Sequence, residues 1–224
     1  MSNTLSTAQK DTKAQHIATA AGELFTQQAF ADISVADIAQ HAGVAKGTLF
    51  NYYHTKENIF MTLLLNGYQR YFVTLNATFR DDPVHTAQQL KERLLAETSH
   101  LVTDHATLVR LNALRGPVLE PHADREQTLA GRQALYAANL ALGQTLATQL
   151  PGLSVTAASH LFVSQSAIIS GLMNLTGLDR FNRTALETDF PAFQINLETE
   201  ARQTFGYYLD GILQEELHAN SKRS

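Results

Sequence analysis

A run of hydrogen-bond donors occupies residues 46–56, the segment KGTLFNYYHTK, and no carboxylate lies between Val44 and Lys56. We predict a short helix at about residues 46–53, in which Leu49 and Tyr53 share the inward face because they are four residues apart. The outward face then carries Lys46, Gly47, Thr48, Asn51 and Tyr52. Ammonium, hydroxyl and amide groups bind phosphate oxygens and base edges in the major groove, so the segment predicts a DNA-reading helix.

A helix-turn-helix would present such a helix to DNA, because two short helices cross steeply about a tight turn. The crossing requires a small residue at the contact and a left-handed residue in the turn, and Ala39 and Gly43 fit these places. Ser34 and Asp37 have the spacing of a capping box that opens the first of the two helices, at about residues 35–41. The predicted core of the motif consists of Ile38, Ala39, Gly43, Val44, Leu49 and Tyr53.

Helical periodicity continues along the chain, and the predicted fold class is all-α. Thr12 and Gln15 have capping-box spacing and would open helix one, whereas Thr55 would cap a long fourth helix that stops before Pro83. Glycine and proline then divide the remainder into five helices, near 84–103, 105–115, 124–150, 155–177 and 195–218. We predict a three-helix DNA-binding domain at 12–57 and a larger helical ligand-binding and dimerisation domain at 58–218, and helix four joins the two domains. Disordered tails are predicted at 1–11 and 219–224.

Composition restricts the function further. The formal net charge is −4, and the four lysines of residues 1–56 are balanced by four carboxylates, so any DNA binding has to be local. The chain has no cysteine, no P-loop, no dinucleotide-binding glycine pattern and no HExxH motif, so we expect no enzyme activity, cofactor or metal site. Neither a signal peptide nor a run of about 20 apolar residues is evident, so we expect a cytoplasmic protein with no membrane partner.

The segment SVADIAQHAGVAKGTLFNYYHTKENIF resembles the DNA-binding signature of the TetR family of bacterial regulators. The resemblance covers about residues 13–65 and includes the helix-turn-helix core, the K-G-T-L step and the Y-x-x-K-E start of helix four. It implies a two-fold dimer with a variable C-terminal helical domain that binds a small molecule. It also implies DNA contacts from Ser34, Lys46, Gly47, Thr48, Asn51, Tyr52 and Lys56, of which Asn51 would read a base and Tyr52 and Lys56 would bind phosphates.

Three residues depart from the family pattern. Ala29 stands where glycine is common after helix one, so the backbone either avoids a positive φ or tolerates strain of about 1 kcal/mol. Phe50 replaces a frequent tyrosine and loses a hydroxyl that would reach phosphate. Ala45 replaces a frequent serine or threonine and loses a cap or a phosphate contact. These departures bear on DNA affinity rather than on the fold.

The C-terminal region carries two further sets of candidate residues. Apolar and small side chains form a stripe on each of the last two helices, and the two stripes predict a dimer interface. One of the stripes could instead pack within its own chain. The candidate interface residues are Ser164, Ala167, Ile168, Gly171, Phe205, Tyr208 and Ile212. Polar residues among helices four to eight are candidates for the lining of a ligand pocket: Tyr68, Tyr71, His100, Arg110, Asn112, Arg115, Tyr136, Asn139 and Gln165. His100 and Asp104 share a helical face, which is a weak metal signal, whereas His105 is not expected on that face.

We therefore expect a repressor that binds a palindromic double-stranded DNA operator as a homodimer and is released by an unidentified small-molecule effector. Two alternatives remain open at this stage. The first is a constitutive DNA-binding regulator whose C-terminal domain serves only for dimerisation or for a protein partner. The second is a small-molecule-binding protein that has lost DNA recognition.

Overall fold

The computed structural model describes the backbone of residues 7–176 and 195–221, and these residues contain no β-strand. The predicted all-α fold is therefore confirmed. The helices are α1 (Thr7–Gln27), α2 (Val35–His41), α3 (Lys46–Phe50), α4 (Lys56–Asp81), α5 (Ala87–Asp104), α6 (Ala106–Leu114), α7 (Arg125–Gln149), α8 (Val155–Thr176) and α9 (Leu197–Ser221). A 3-10 turn, Phe30–Asp32, precedes α2, and a π-helix, Arg115–Leu119, and a 3-10 turn, Glu120–His122, connect α6 to α7.

The N-terminal helix begins earlier than the sequence pattern predicted. It starts at Thr7, so the expected tail at 1–11 overlaps five helical residues, and the predicted capping box of Thr12 and Gln15 lies inside the helix. Ala, Gln and Lys are good helix formers, so nothing local stops the helix from extending toward the N-terminus. At the other end α9 continues to Ser221, whereas residues 222–224 of the predicted tail lie outside the described residues.

The chain divides into two compact units. The first contains Met1–Gly67 together with Leu114–Arg132, and its core includes Ile17, Phe25, Ile38, Leu49 and Phe60 at 0–1% exposure. The predicted DNA-binding domain, 12–57, therefore differs from the observed unit, which extends further into α4 and includes a distant segment. Gly131 illustrates why the distant segment fits closely, because a Cβ there would lie 2.8 Å from Leu65 Cδ1.

The second unit contains Tyr68–Ala113 and Gln133–Ser224. Within it α9 packs against both α5 and α8, and Gly143 allows α7 to approach α8 closely. A Cβ at Gly143 would lie 3.1 Å from both the Ser159 nitrogen and the Val155 carbonyl oxygen. This unit buries polar side chains as well as leucines, and Gln165, at 2% exposure, donates from Nε2 to Thr98 Oγ1 at 2.8 Å.

One helix of the described residues is long and apolar enough to cross a membrane by length and composition. It spans Val155–Leu175 with a mean hydropathy of 1.2, and 33% of it is buried. No stretch of this kind was predicted from the sequence. A single helix of this kind is weak evidence for a membrane span, because a core helix of a soluble protein has the same composition.

Candidate nucleic-acid interface

The helix-turn-helix begins at a complete capping box. Ser34 Oγ accepts a hydrogen bond from the Asp37 N–H at 3.2 Å, and Asp37 Oδ2 accepts one from the Ser34 N–H at 2.8 Å. The hydrogen bonds from the Ser34 side chain and backbone hold the pKa of Asp37 below its usual value. Both hydrogen bonds of the predicted capping box are thus formed, and they fix the first residue of α2.

The turn between α2 and α3 depends on Gly43. Its φ of 61° lies in the left-handed region, and the next residue, Val44, donates its N–H to the Ala39 carbonyl at 2.9 Å. Ile38, Ala39, Leu49 and Tyr53 are buried, Val44 is half-buried and Gly43 itself is exposed.

Two side-chain hydrogen bonds anchor this motif to α1, one made by His16 of α1 and one by Tyr53 in the turn after α3. His16 Nε2 lies 3.0 Å from the Ala42 carbonyl at the end of α2. Tyr53 OH donates to the Ala14 carbonyl at 3.1 Å, and burial raises the pKa of Tyr53 to about 12. Tyr53 therefore stays a neutral donor at ordinary pH. It fixes against α1 the end of residues 46–53, which we call the recognition segment.

The recognition helix itself is short. α3 covers only Lys46–Phe50, and the chain continues as a turn in which the Tyr52 N–H reaches the Leu49 carbonyl at 2.9 Å. The predicted helix to Tyr53 was therefore too long. Of the predicted contact residues, Lys46, Gly47 and Asn51 are exposed and Thr48 and Tyr52 are half-buried.

The departures from the family pattern have visible consequences. Ala29 has a φ of −71°, so the backbone avoids the positive φ that glycine would permit. Ala45 precedes α3 without any side-chain cap. Phe50 is 39% exposed beside Lys46, whose Nζ lies 6.0 Å from the ring centroid. From the sequence, Phe50 was predicted only to lack a hydroxyl, although its spacing from Lys46 and Gly47 places it on the same exposed face.

Lys56 is engaged inside the protein. Its Nζ donates to the carbonyls of Phe30 at 2.7 Å and Ile33 at 2.8 Å, and it lies 4.1 Å from the centroid of the Phe30 ring. Burial lowers the pKa of Lys56, and the charges of Glu57 and Asp32 oppose this shift. Two of its three N–H donors hold the 3-10 turn before α2, so its contact with phosphate stays a prediction.

The nine candidate pocket residues differ in burial and are divided between the two units. Tyr68, Tyr71, Asn112 and Gln165 are buried in the second unit, and Asn139 and Arg110 are half-buried there. Tyr136 is 61% exposed, His100 is exposed, and Arg115 belongs to the first unit, 3.6 Å from Glu120. These last three positions are not buried, because helical periodicity does not tell which polar face turns inward, and the role of all nine residues in a ligand pocket stays a prediction.

The expectation for His105 was also wrong. Its ring centroid lies 5.1 Å from that of His100, because α5 ends at Asp104 and His105, with φ −115° and ψ 32°, leaves the helical path. Burial, together with the charge of His100, lowers the pKa of His105. His100 Nδ1 is 2.6 Å from Asp104 Oδ2, as the shared face predicted. No group of three or more metal-ligating side chains occurs within the described ranges.

The candidate dimer residues include one correction. Ala167 and Gly171 are exposed, and four others are half-buried: Ser164, Ile168, Tyr208 and Ile212. Phe205 is fully buried in its own chain, where its ring stacks on Tyr208 at 6.0 Å, so it belongs to the core. The apolar side chains that do face solvent here are Val163, Leu175 and Tyr207, at 51%, 67% and 67% exposure, and the sequence analysis did not name them.

Comparisons with known proteins agree with this geometry. A family model described as bacterial regulatory proteins, tetR family, matches residues 17–62, and one described as tetracyclin repressor-like, C-terminal domain, matches residues 66–216. A curated relative is a candidate mycofactocin biosynthesis transcriptional regulator, MftR, of Mycobacterium tuberculosis. It is 48% identical over 50 residues, which is 22% of this chain and 25% of that protein, so the match spans about a quarter of the relative's length.

Two solved structures share the fold. A TetR-family transcriptional regulator candidate from Mesorhizobium loti MAFF303099 has a TM-score of 0.54 and 21% identity, over 92% of this chain and 96% of its own. FadR of Thermus thermophilus, a TetR-family transcriptional repressor solved with lauroyl-CoA, has a TM-score of 0.50 and 19% identity, over 91% and 93%.

The two lysines of this surface are expected to behave differently. Lys46→Met removes an exposed cation, so the slope of log Kd for DNA against log salt should flatten by about 1 per protomer with Tm unchanged. Lys56→Met removes two internal hydrogen bonds from a charged donor, so it should lower the free energy of unfolding by about 2 kcal/mol. Salt-dependent titration of a duplex selected from a random pool, together with denaturant unfolding, measures both. A flatter slope for Lys56→Met with unchanged stability would contradict this assignment.

Proposed function

This chain belongs to the TetR family of bacterial transcription regulators, and we propose that it is a cytoplasmic repressor that binds a palindromic operator as a homodimer and is released by a small-molecule effector. The observation that carries the proposal is the donor surface formed by α3 and the turn after it, held by a capped α2 and a glycine turn. Lys46, Asn51 and Tyr52 are its central residues. Asn51 would read a base, and the other two would bind phosphate.

The charge distribution supports binding by two copies. Lys46 is the one cation of α3, and the ammonium of Lys56 is engaged by backbone carbonyls. A single copy therefore offers few free cations to the phosphates, and its affinity should be low. Two copies joined rigidly raise the affinity, because the second contact becomes intramolecular.

We infer that the exposed face of α8 and α9 joins the two copies. Val163, Ala167, Gly171 and Leu175 follow one another at four-residue spacing along α8, and all are exposed. On α9, which packs against α8, Tyr207 exposes 67% of its surface. An exposed apolar stripe along a helix is costly in water, and the small residues at 167 and 171 allow a partner helix to approach closely.

The second unit is the proposed effector-binding domain. Its interior contains hydroxyl and amide groups from Thr98, Asn112 and Gln165, which could orient a ligand. The structure of FadR with lauroyl-CoA shows that a protein of this fold can bind a small molecule. Its 19% identity to this chain is too low to assign the same ligand here.

A specific observation favours the alternative of a constitutive regulator. Gln165 bonds Thr98, and Asn112 Nδ2 donates to Ser166 Oγ at 2.8 Å and to Ser170 Oγ at 2.6 Å. These groups thus satisfy one another without a ligand. An effector would have to break and replace some of these hydrogen bonds, whereas a constitutive regulator would keep them.

The dimer surface can be tested by placing a charge on it. Val163→Asp should dissociate the homodimer and reduce operator affinity at least about 100-fold, because a carboxylate would be buried at the interface. Analytical ultracentrifugation and anisotropy titration measure the two effects. Val73→Asp is the matched control, since Val73 is 56% exposed on α4. Equal behaviour of the two variants would exclude this face.

The effector can be tested on the purified protein and on added lauroyl-CoA. We expect a molecule released by denaturation, or lauroyl-CoA itself, to raise the stability of the folded chain by about 2.7 kcal/mol at 100 times its Kd. The same molecule should weaken binding to the selected duplex. A chain that contains no bound molecule, and whose DNA affinity responds neither to lauroyl-CoA nor to extracts of small metabolites, would favour the constitutive regulator.

A further inference from the structure

Asn58 is the one fully buried amide side chain among the described residues of the first unit, at 1% exposure. It lies in the first turn of α4, and both halves of its amide are engaged by the start of α7. Asn58 Nδ2 donates to Gln127 Oε1 at 2.8 Å, and Asn58 Oδ1 accepts from the Asp124 N–H at 3.2 Å. The amide is therefore satisfied by residues almost 70 positions away in the sequence.

Gln127 extends this connection to the recognition segment. Its Nε2 lies 3.4 Å from the carbonyl oxygen of Tyr52, in the turn that follows α3. Carbonyls after the last turn of a helix have no partner within the helix, so an external donor fixes their orientation. One glutamine amide thus joins the end of the recognition segment to the buried amide at the start of α4.

The position of Gln127 is set by regular structure on both sides. Asp124 Oδ1 caps α7 by accepting the Gln127 N–H at 2.9 Å. Thr55 Oγ1 donates to the His122 carbonyl at 2.9 Å and accepts the Asn58 N–H at 3.1 Å, which joins the segment before α7 to the first turn of α4. One turn beyond Gln127, Gly131 allows Leu65 to pack directly on α7.

We propose that Gln127 is a positioning residue for DNA recognition: it holds the Tyr52 carbonyl, and through it the side chains of Asn51 and Tyr52, at the angle that the major groove requires. This inference rests on the proposed function, since it concerns the same DNA-binding surface. Gln127 itself is exposed on its outer side. Removal of its amide leaves the buried Asn58 Nδ2 without an acceptor and releases the Tyr52 carbonyl from its connection to α4 and α7.

The test compares two identical substitutions on one helix. Gln127→Met keeps the length of the side chain and removes its hydrogen bonds, and Gln133→Met makes the same change at an exposed position of α7. The probe is a duplex selected by the wild-type protein from a random pool. We expect Gln127→Met to weaken binding about tenfold with an unchanged salt slope, because no phosphate contact is lost, and Gln133→Met to bind like the wild type.

A second variant separates positioning from stability. In Asn58→Leu with Gln127→Met, both partners are apolar, so Tm should recover toward the wild type relative to Gln127→Met alone, in which the buried Asn58 Nδ2 has no acceptor. The affinity for DNA should remain as low as in Gln127→Met, because the Tyr52 carbonyl still lacks its donor. Recovery of DNA affinity together with Tm would show that Gln127 acts only through stability and would overturn the proposal.

Further outcomes are also decisive. Amide hydrogen exchange at residues 51–53 should be faster in Gln127→Met than in Gln133→Met, and equal rates would contradict the positioning role. If Gln127→Met does not fold, Gln127→Asn, whose shorter amide does not reach Tyr52, should give the same loss of affinity. Wild-type affinity in Gln127→Met would overturn this inference alone, whereas a wild-type protein that selects no duplex would overturn the proposed function.

Discussion

A five-residue helix is not stable by itself in water, because nucleation costs more than one turn of hydrogen bonds returns. α3 therefore depends on tertiary contacts for its stability. Leu49 anchors it in the core, Gly43 sets the turn before it, and Tyr53 fixes the chain after it to the Ala14 carbonyl. The geometry of the DNA-binding surface is thus a tertiary property, and every residue that touches the turn after α3 can change DNA affinity without touching DNA.

This constraint also explains how the cations are used. Lys56 holds the turn before α2 through the carbonyls of Phe30 and Ile33, so its charge contributes first to the shape of the motif. Lys46 remains exposed on α3 beside Phe50. Such a surface combines few charges with a fixed geometry, which favours specificity over affinity in one copy. A dimer is then the natural means of raising the affinity, and an exposed apolar face of α8 is available to form it.

Local signals in the sequence predicted much of this structure. The Ser34 and Asp37 capping box, the left-handed Gly43 and the breakers around Pro83 and Pro151 each act through residues that are close in sequence, so pattern is sufficient to find them. The five helices beyond Pro83 begin and end within three residues of their predicted positions.

The errors about burial and hydrogen-bond partners have the opposite character, because they concern contacts between distant residues. An apolar stripe on α9 does not tell whether Phe205 faces its own chain or a partner, and it faces its own core. The carbonyls that accept from Lys56 are backbone groups that no side-chain pattern reveals. Likewise, the grouping of Leu114–Arg132 with the first unit depends on amide pairs such as Asn58 and Gln127, which no period in the sequence indicates.

The most direct measurement of the central claim is selection of duplexes from a random-sequence pool by the full-length protein, followed by sequencing of the bound fraction. A dimer that reads DNA through α3 predicts an inverted repeat whose half-site centres lie about 34–36 Å apart, or a multiple of that distance. A pool that shows no enrichment, or enrichment of a single half-site without a repeat, would contradict the account.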